Sequence, residues 1–225
     1  MNYLKISVYA SLFVQILTGI IDYYVITLPI DATHTLLRQL LIMEFFVQTI
    51  EATFYIWLAL SISFVTNITY KRYWDWFIST PTMLITFSAY LVYLRITERG
   101  SDVIPSLYQI IDEYLPVFVS IVLLNASMLL FGYLGEINKM TINMSVFFGF
   151  IPFIVMFYLI YEFFAKYTSY GLSLYWYFAI IWALYGIAAL FSYKLKNISY
   201  NILDLFSKNF FGLFLAYVLY NKIHS

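Results

Sequence analysis

The chain contains no cysteine, which excludes a disulfide framework, thiolate chemistry and cysteine-ligated metals. Its two histidines, His34 and His224, lie near the ends of apolar stretches, so a histidine-based metal site is not expected. Charged residues make up 11% of the 225 residues, where a soluble domain usually carries about 25%. The 12 basic and 12 acidic side chains cancel, leaving no electrostatic footprint for nucleic acid. No internal repeat, low-complexity tract or soluble domain is visible. What the chain has in quantity is apolar and aromatic surface: 63% hydrophobic and 22% aromatic residues, with a mean hydropathy of +0.83. That composition is that of an integral, multi-pass membrane protein whose main partner is the lipid bilayer.

A membrane-crossing helix needs about 20 largely apolar residues. Seven stretches qualify, at 4–26, 36–65, 73–94, 114–134, 140–164, 172–193 and 198–220. The first is long enough to span and no small-residue cleavage site follows it, so it reads as a span and not a signal peptide. Sustained alternation is missing, which excludes barrel strands. The expected fold is all-α, a single seven-transmembrane-helix bundle over residues 1–225. Short polar segments separate the spans: Asp31 to His34, Thr66 to Lys71, Gly135 to Lys139, Lys166 to Ser169 and Lys194 to Lys196. The longest connection, Arg95 to Glu113, gathers Glu98, Arg99, Gly100, Asp102, Pro105 and Asp112 and reads as a loop with a short helical turn. Six basic residues on one side against five on the other give no orientation by charge. Asn67-Ile-Thr69 and Asn197-Ile-Ser199 fit the glycosylation pattern, but Asn197 beside a helix start reads better as a cap.

Charge inside a span costs roughly 2.5 to 3.5 kcal/mol per group, so each such residue needs a reason. Seven fall in or just inside the apolar stretches: Asp22, Glu44, Glu51, Arg72, Asp75, Asp204 and Lys208. Asp204 and Lys208 are i, i+4 neighbours, and Arg72 and Asp75 are i, i+3 neighbours. Ser79 extends the Asp75 face by one turn, and Pro81 then bends the helix or frees a carbonyl. Two carboxylates, one Arg and one Lys would form a nearly neutral buried cluster if the helices meet. A desolvated lysine amine is also able to form a Schiff base with a carbonyl ligand. The simpler reading is a polar knot that fixes helix packing.

The segment Arg72-Tyr-Trp-Asp75-Trp76-Phe-Ile-Ser79-Thr80-Pro81 resembles the third-helix motif of microbial (type 1) rhodopsins. Asp204-Leu-Phe-Ser-Lys208-Asn209-Phe-Phe-Gly212 resembles their seventh-helix retinal-lysine motif, and Trp182-Ala-Leu-Tyr185 their sixth-helix pocket pair. The resemblance covers all seven helices and is nearest to the short rhodopsins of giant viruses, some of which are similar to channelrhodopsins at Ser-Lys-Asn. It implies the microbial rhodopsin architecture and all-trans retinal bound covalently to Lys208 as a protonated Schiff base. Asp75 would then be primary counterion and proton acceptor, and Asp204 the second counterion. Arg72 would support them from the extracellular side, and Ser79 would hydrogen-bond near Asp75. An iminium beside two carboxylates is held charged by them. Trp76, Thr80, Met83, Trp182 and Tyr185 would line the polyene. The resemblance also implies a non-enzymatic protein with an extracellular N-terminus, in the plasma membrane of a host cell and possible as a homo-oligomer. Gly186 and Ala189 depart from the usual Pro and Trp, which predicts a roomier pocket there. Met83, an apolar residue, goes with green absorption in the family.

Pumps of this family carry a proton-donating carboxylate eleven residues after the counterion, where this chain has Thr86. Acidic candidates for a release pair ahead of Asp204 are missing too, which disfavours efficient pumping. Three spans carry polar residues spaced to form a line down one face: Ser11, Gln15, Thr18 and Asp22; Glu44, Gln48, Glu51 and Tyr55; Asn197, Asn201, Asp204 and Lys208. Polar lines do not face lipid. They either hydrogen-bond one another or border a hydrated path for monovalent cations or protons. The expected function is a light-gated cation channel with Ser11, Gln15, Glu44, Glu51, Asn197 and Asn201 along the path. The alternatives are a light-driven outward proton pump, a photosensor acting through a partner protein, and a seven-helix transporter or receptor without retinal.

Overall fold

The computed structural model describes residues 3–64, 67–101 and 103–224. Thr66 of the second linker and Asp102 of the long connection lie outside the described residues. Among the described residues the chain is helical, without strands, and seven helices are long and apolar enough to cross a membrane. In chain order they are α1 (Tyr3–Thr27), α2 (Thr35–Ser61), α3 (Thr69–Glu98), a short surface helix α4 (Leu107–Glu113), α5 (Leu115–Glu136), α6 (Ile142–Ile160) and α7 (Ser169–Ala188). The seventh crossing is one continuous run, Tyr193–His224, made of α8 (Tyr193–Asp204), a π-helical turn (Leu205–Asn209) and α9 (Phe210–His224).

Several helix ends differ from the sequence expectation by about a turn. The second span stops at Ser61, and the third begins at Thr69 and runs to Glu98. Arg95 stays helical because its guanidinium reaches Tyr114 Oη at 2.8 Å and stacks over the Tyr167 ring. The long connection shortens further because Ser106 and Gln109 form a reciprocal capping box that starts α4. The break before the last span falls after Ala188, so Lys194 and Lys196 belong to α8 and not to a linker. Burial of Lys196 is tolerated because its amine pairs with Glu136 at 2.7 Å. Asn197 is therefore no cap. It sits inside α8 and donates to Thr69 Oγ1 at 3.0 Å and to the carbonyl of Tyr193.

α3 runs through the middle of the bundle and is its most buried crossing. α1 and α2 pack on each other and on the seventh crossing, α5 packs along α6, and α3 contacts α2, α5 and α7. The interior divides into two kinds of packing. Between α3, α7 and α9 it is aromatic, with Phe87 stacked on Phe178 at 4.2 Å and Phe211 edge-on to Phe178 at 4.8 Å. Between α1, α2 and the seventh crossing it is polar. Lys208 sits where the two meet.

Candidate functional site

The π-turn places Lys208 side by side with three carboxylates. Its Nζ donates to Asp75 Oδ2 at 3.0 Å, lies 3.1 Å from Glu51 Oε1, and is 3.8 Å from Asp204 Oδ1. All four side chains are buried. Glu51, expected along an ion path, is thus nearer the amine than Asp204, expected as the second counterion. Asp204 is engaged elsewhere. It accepts from Arg72 Nη1 at 3.2 Å and from the hydroxyls of Tyr55 and Tyr185, each at 2.8 Å. Arg72 also donates to Asn197 at 3.3 Å and to Asn201. The neutral count of two carboxylates against two cations therefore becomes three against two. The Tyr55 and Tyr185 hydroxyls add two neutral donors to this cluster, both on Asp204. Ser79 lies one turn from Asp75 with its hydroxyl beside that carboxyl, and both groups are buried.

From Lys208 an apolar cavity of about 860 Å³, including its mouth, extends between α3, α5, α6 and α7. Trp76, Thr80, Met83, Trp182, Tyr185 and Ser207 line it around the amine. Trp76 and Tyr185 meet edge to face at 5.6 Å, and Tyr185 Oη also contacts Ser207 Oγ at 2.8 Å. Thr80 is fixed by donating to the Trp76 carbonyl and by accepting from Asn125 Nδ2 at 2.8 Å. Asn125 is absent from the sequence expectation, although a lone amide in the largely apolar fourth span was the available signal. The pocket is not roomier at Gly186: a Cβ built there would lie 2.7 Å from Phe150 Cε2, so the Phe150 ring already fills the space. A primary amine closing a long, aromatic-walled, apolar cavity is what a conjugated aldehyde requires. In this structure Nζ stands where the nitrogen of the retinal linkage would be.

A family model described as bacteriorhodopsin-like protein matches residues 4–222. The chain belongs to that family. Structural comparison agrees over the full length. The chain is similar to the viral rhodopsin OLPVRII, at 27% identity with a TM-score of 0.82, covering 99% of each chain. It has the fold of a blue light-absorbing proteorhodopsin from Med12, at 18% identity and TM-score 0.76, covering 100% of both chains. It also has the fold of the light-driven proton pump Coccomyxa subellipsoidea rhodopsin CsR, at 20% identity and TM-score 0.73, covering 96% of this chain and 97% of that one. A comparison with curated proteins gives no match. Bacteriorhodopsin-like proteins hold retinal through a Schiff base on a lysine, and this one is a retinal protein with Lys208 in that place.

The three polar lines of this bacteriorhodopsin-like chain do face one another. Ser11 Oγ donates to the carbonyl of Asn201 at 3.1 Å, and Tyr55 Oη lies 3.0 Å from Asn201 Oδ1. Below Lys208, Asn209 Nδ2 reaches Gln15 Oε1 and Gln48 Oε1, each at 2.9 Å, and Thr18 Oγ1 at 3.2 Å. Asn209 thus ties α1 to α2, a role its position next to Lys208 signals but the sequence reading did not assign. Further along, Asp22 and Glu44 are wholly buried; Asp22 has no hydrogen-bond partner among the described residues, and Glu44 lies beside the Thr86 hydroxyl. Gly212 lets α9 approach Asp22 and Gln48: a Cβ there would meet Asp22 Oδ2 at 2.8 Å and Gln48 Nε2 at 3.3 Å. Thr86 is spent on the Thr82 carbonyl, to which it donates at 3.0 Å.

Proposed function

We propose that this retinal protein is a light-gated cation channel whose path follows the polar seam between α1, α2 and the seventh crossing. The observation that carries the reading is the seam itself, buried from Asn197 and Asn201 through Glu51 and Gln15 to Glu44, with carboxylates at several depths. Buried polar groups without protein partners are ordinarily satisfied by water or ions. The corresponding space between α3, α7 and α9 is filled by Phe87, Phe178 and Phe211, which leaves the seam as the polar way through.

Retinal supplies a light-driven change of shape and of charge position at Lys208 Nζ. Asp75, the hydrogen-bonded carboxylate, is placed to take a proton from that nitrogen. Glu51 shares the counterion role, and Arg72 holds Asp204, Asn197 and Asn201 as a closed upper gate. Asn209 is the next residue to Lys208, so displacement of the lysine pulls on the amide that closes the seam against Gln15 and Gln48. Trp76, Thr80, Met83, Trp182 and Tyr185 shape the retinal cavity, and Ser79 lies beside Asp75 along α3.

A whole-cell light-induced current–voltage curve tests this. The expected photocurrent reverses sign with the imposed gradient of monovalent cations or protons, and Glu44→Ala and Glu51→Ala change its size or selectivity. Current of one sign at every voltage would instead identify an outward proton pump. Loss of visible absorbance on Lys208→Ala is the control for the retinal linkage.

A further inference from the structure

The retinal cavity is not sealed, and its walls differ in how firmly they close. Between α3 and α5 the Tyr73 ring lies flat on Gly132, so close that a Cβ there would sit 2.5 Å from its hydroxyl. α5 and α6 are locked together by Ser145, which donates to the carbonyl of Phe131 at 2.7 Å and packs on Gly135. At the polar end, the Lys196–Glu136 ion pair at 2.7 Å shuts the cavity beside the Tyr200 ring. The remaining wall, between α6 and α7, is different. These helices touch each other much less than α5 and α6 do. Val146, Phe150, Gly186 and Ala189 line the cavity there and are themselves only half-buried. Outside them the rim is apolar and exposed, with Phe147, Ile187 and Leu190 facing the bilayer. The Phe150 ring lies across the gap against Gly186, edge-on to Phe153 at 5.4 Å.

We propose that retinal reaches Lys208 sideways from the bilayer, through the α6–α7 gap, with the Phe150 ring as its door. The inference rests on the retinal reading of Lys208. An apolar aldehyde partitions into lipid, and the rim, the gap and the cavity form one continuous apolar route to the amine. Gly186 sets no side chain against the ring, so rotation of Phe150 about its side-chain bonds, away from Gly186 and past Phe153, opens the passage. At the inner end the Lys208 amine and the aldehyde form the C=N bond, and the aldehyde oxygen leaves as water.

The test is the rate at which visible absorbance grows when retinal-loaded lipid vesicles are mixed with retinal-free protein in vesicles, normalised to the final absorbance. Phe150→Ala is expected to speed uptake several-fold, and Phe150→Trp to slow it several-fold. Equal rates in both variants and the parent protein would overturn the route while leaving the retinal reading intact. So would faster uptake in Lys196→Met with no response at Phe150, which would place the entrance at the polar end. Failure of every form, parent included, to gain visible absorbance would overturn the retinal reading itself.

Discussion

Glu51→Gln should shift the absorption of the retinal-loaded protein to longer wavelength about as far as Asp75→Asn does. At an effective dielectric of about 20, a carboxylate at Glu51's 3.1 Å from the Lys208 nitrogen interacts with a positive charge there by roughly 5 kcal/mol. Asp75 at 3.0 Å gives roughly the same figure. Asp204 at 3.8 Å gives roughly 4 kcal/mol, but Arg72 stands 3.2 Å from its other oxygen and contributes roughly 5 kcal/mol in competition for it. Asp204 therefore has a cation of its own, and Glu51 has only Lys208. A carboxylate fixed beside the nitrogen stabilises the charge where the ground state concentrates it, so its removal lowers the excitation energy. The shift is bounded by the lost interaction, at most roughly 5 kcal/mol before the site relaxes. The assay is the absorption maximum of the three single variants at one pH. An unshifted Glu51→Gln beside an Asp204→Asn that shifts as far as Asp75→Asn would refute the ordering drawn from the distances.

Arg72→Gln removes one partner of a buried pair, a change that typically costs about 3–5 kcal/mol. At roughly 2–4 °C per kcal/mol for a chain of this size, heating should bleach the visible absorbance about 6–20 °C earlier. Asn125→Leu should cost less than about 1 kcal/mol, because it deletes an already unpartnered Oδ1 along with the bond to Thr80, which keeps its bond to the Trp76 carbonyl; a bleaching midpoint lowered as far as by Arg72→Gln would contradict this. Asn209→Leu should keep the absorbance while altering the photocurrent, since the amide contacts Gln15, Thr18 and Gln48 and lies on the far side of the backbone from the retinal cavity. A current–voltage curve identical to that of the parent would remove Asn209 from the gate.

The bundle was legible because long apolar runs with isolated charges have one solution in a bilayer, and the Asp204/Lys208 and Arg72/Asp75 pairs are local spacings. The polar lines on three helices were legible for the same reason, since periodicity fixes which residues share a face. What spacing does not contain is the depth at which two separate helices align. Glu51 belongs to the second crossing, and nothing in its own neighbourhood says that it reaches Lys208 ahead of Asp204. The π-turn at Leu205–Asn209 was equally hidden, because it inserts one residue into a helix without any glycine or proline to mark it. Lys196 misled for a related reason: a lysine near a span end reads as a linker until Glu136, sixty residues away in sequence, is seen to neutralise it. Gly186 suggested empty space, and only packing revealed the Phe150 ring that occupies it.

Lys208 and Asn209 are consecutive, yet they serve two different interiors. Successive residues of a helix point about 100° apart. One of these two faces the apolar cavity and the carboxylates, and the other faces the amides and hydroxyls of α1 and α2. Both lie in a π-turn, where the backbone has left the regular α-helical register, a feature that recurs at functional sites. A displacement of the lysine side chain that strains this turn has a short path to the Asn209 amide and a long one to any apolar wall. Three amides meet there, with the oxygens of Gln15 and Gln48 turned toward the NH2 group of Asn209, while Gln15 Nε2, Gln48 Nε2 and Asn209 Oδ1 stay unpartnered among the described residues. Such an arrangement is held by few bonds and leaves donors and acceptors ready for water once it parts. Beyond it lie the buried carboxyl groups of Glu44 and Asp22, which in the proposed channel favour the entry of a positive charge over a negative one. On the proposed channel reading, the sign of the permeant ion and the point where the seam opens follow from the same few residues.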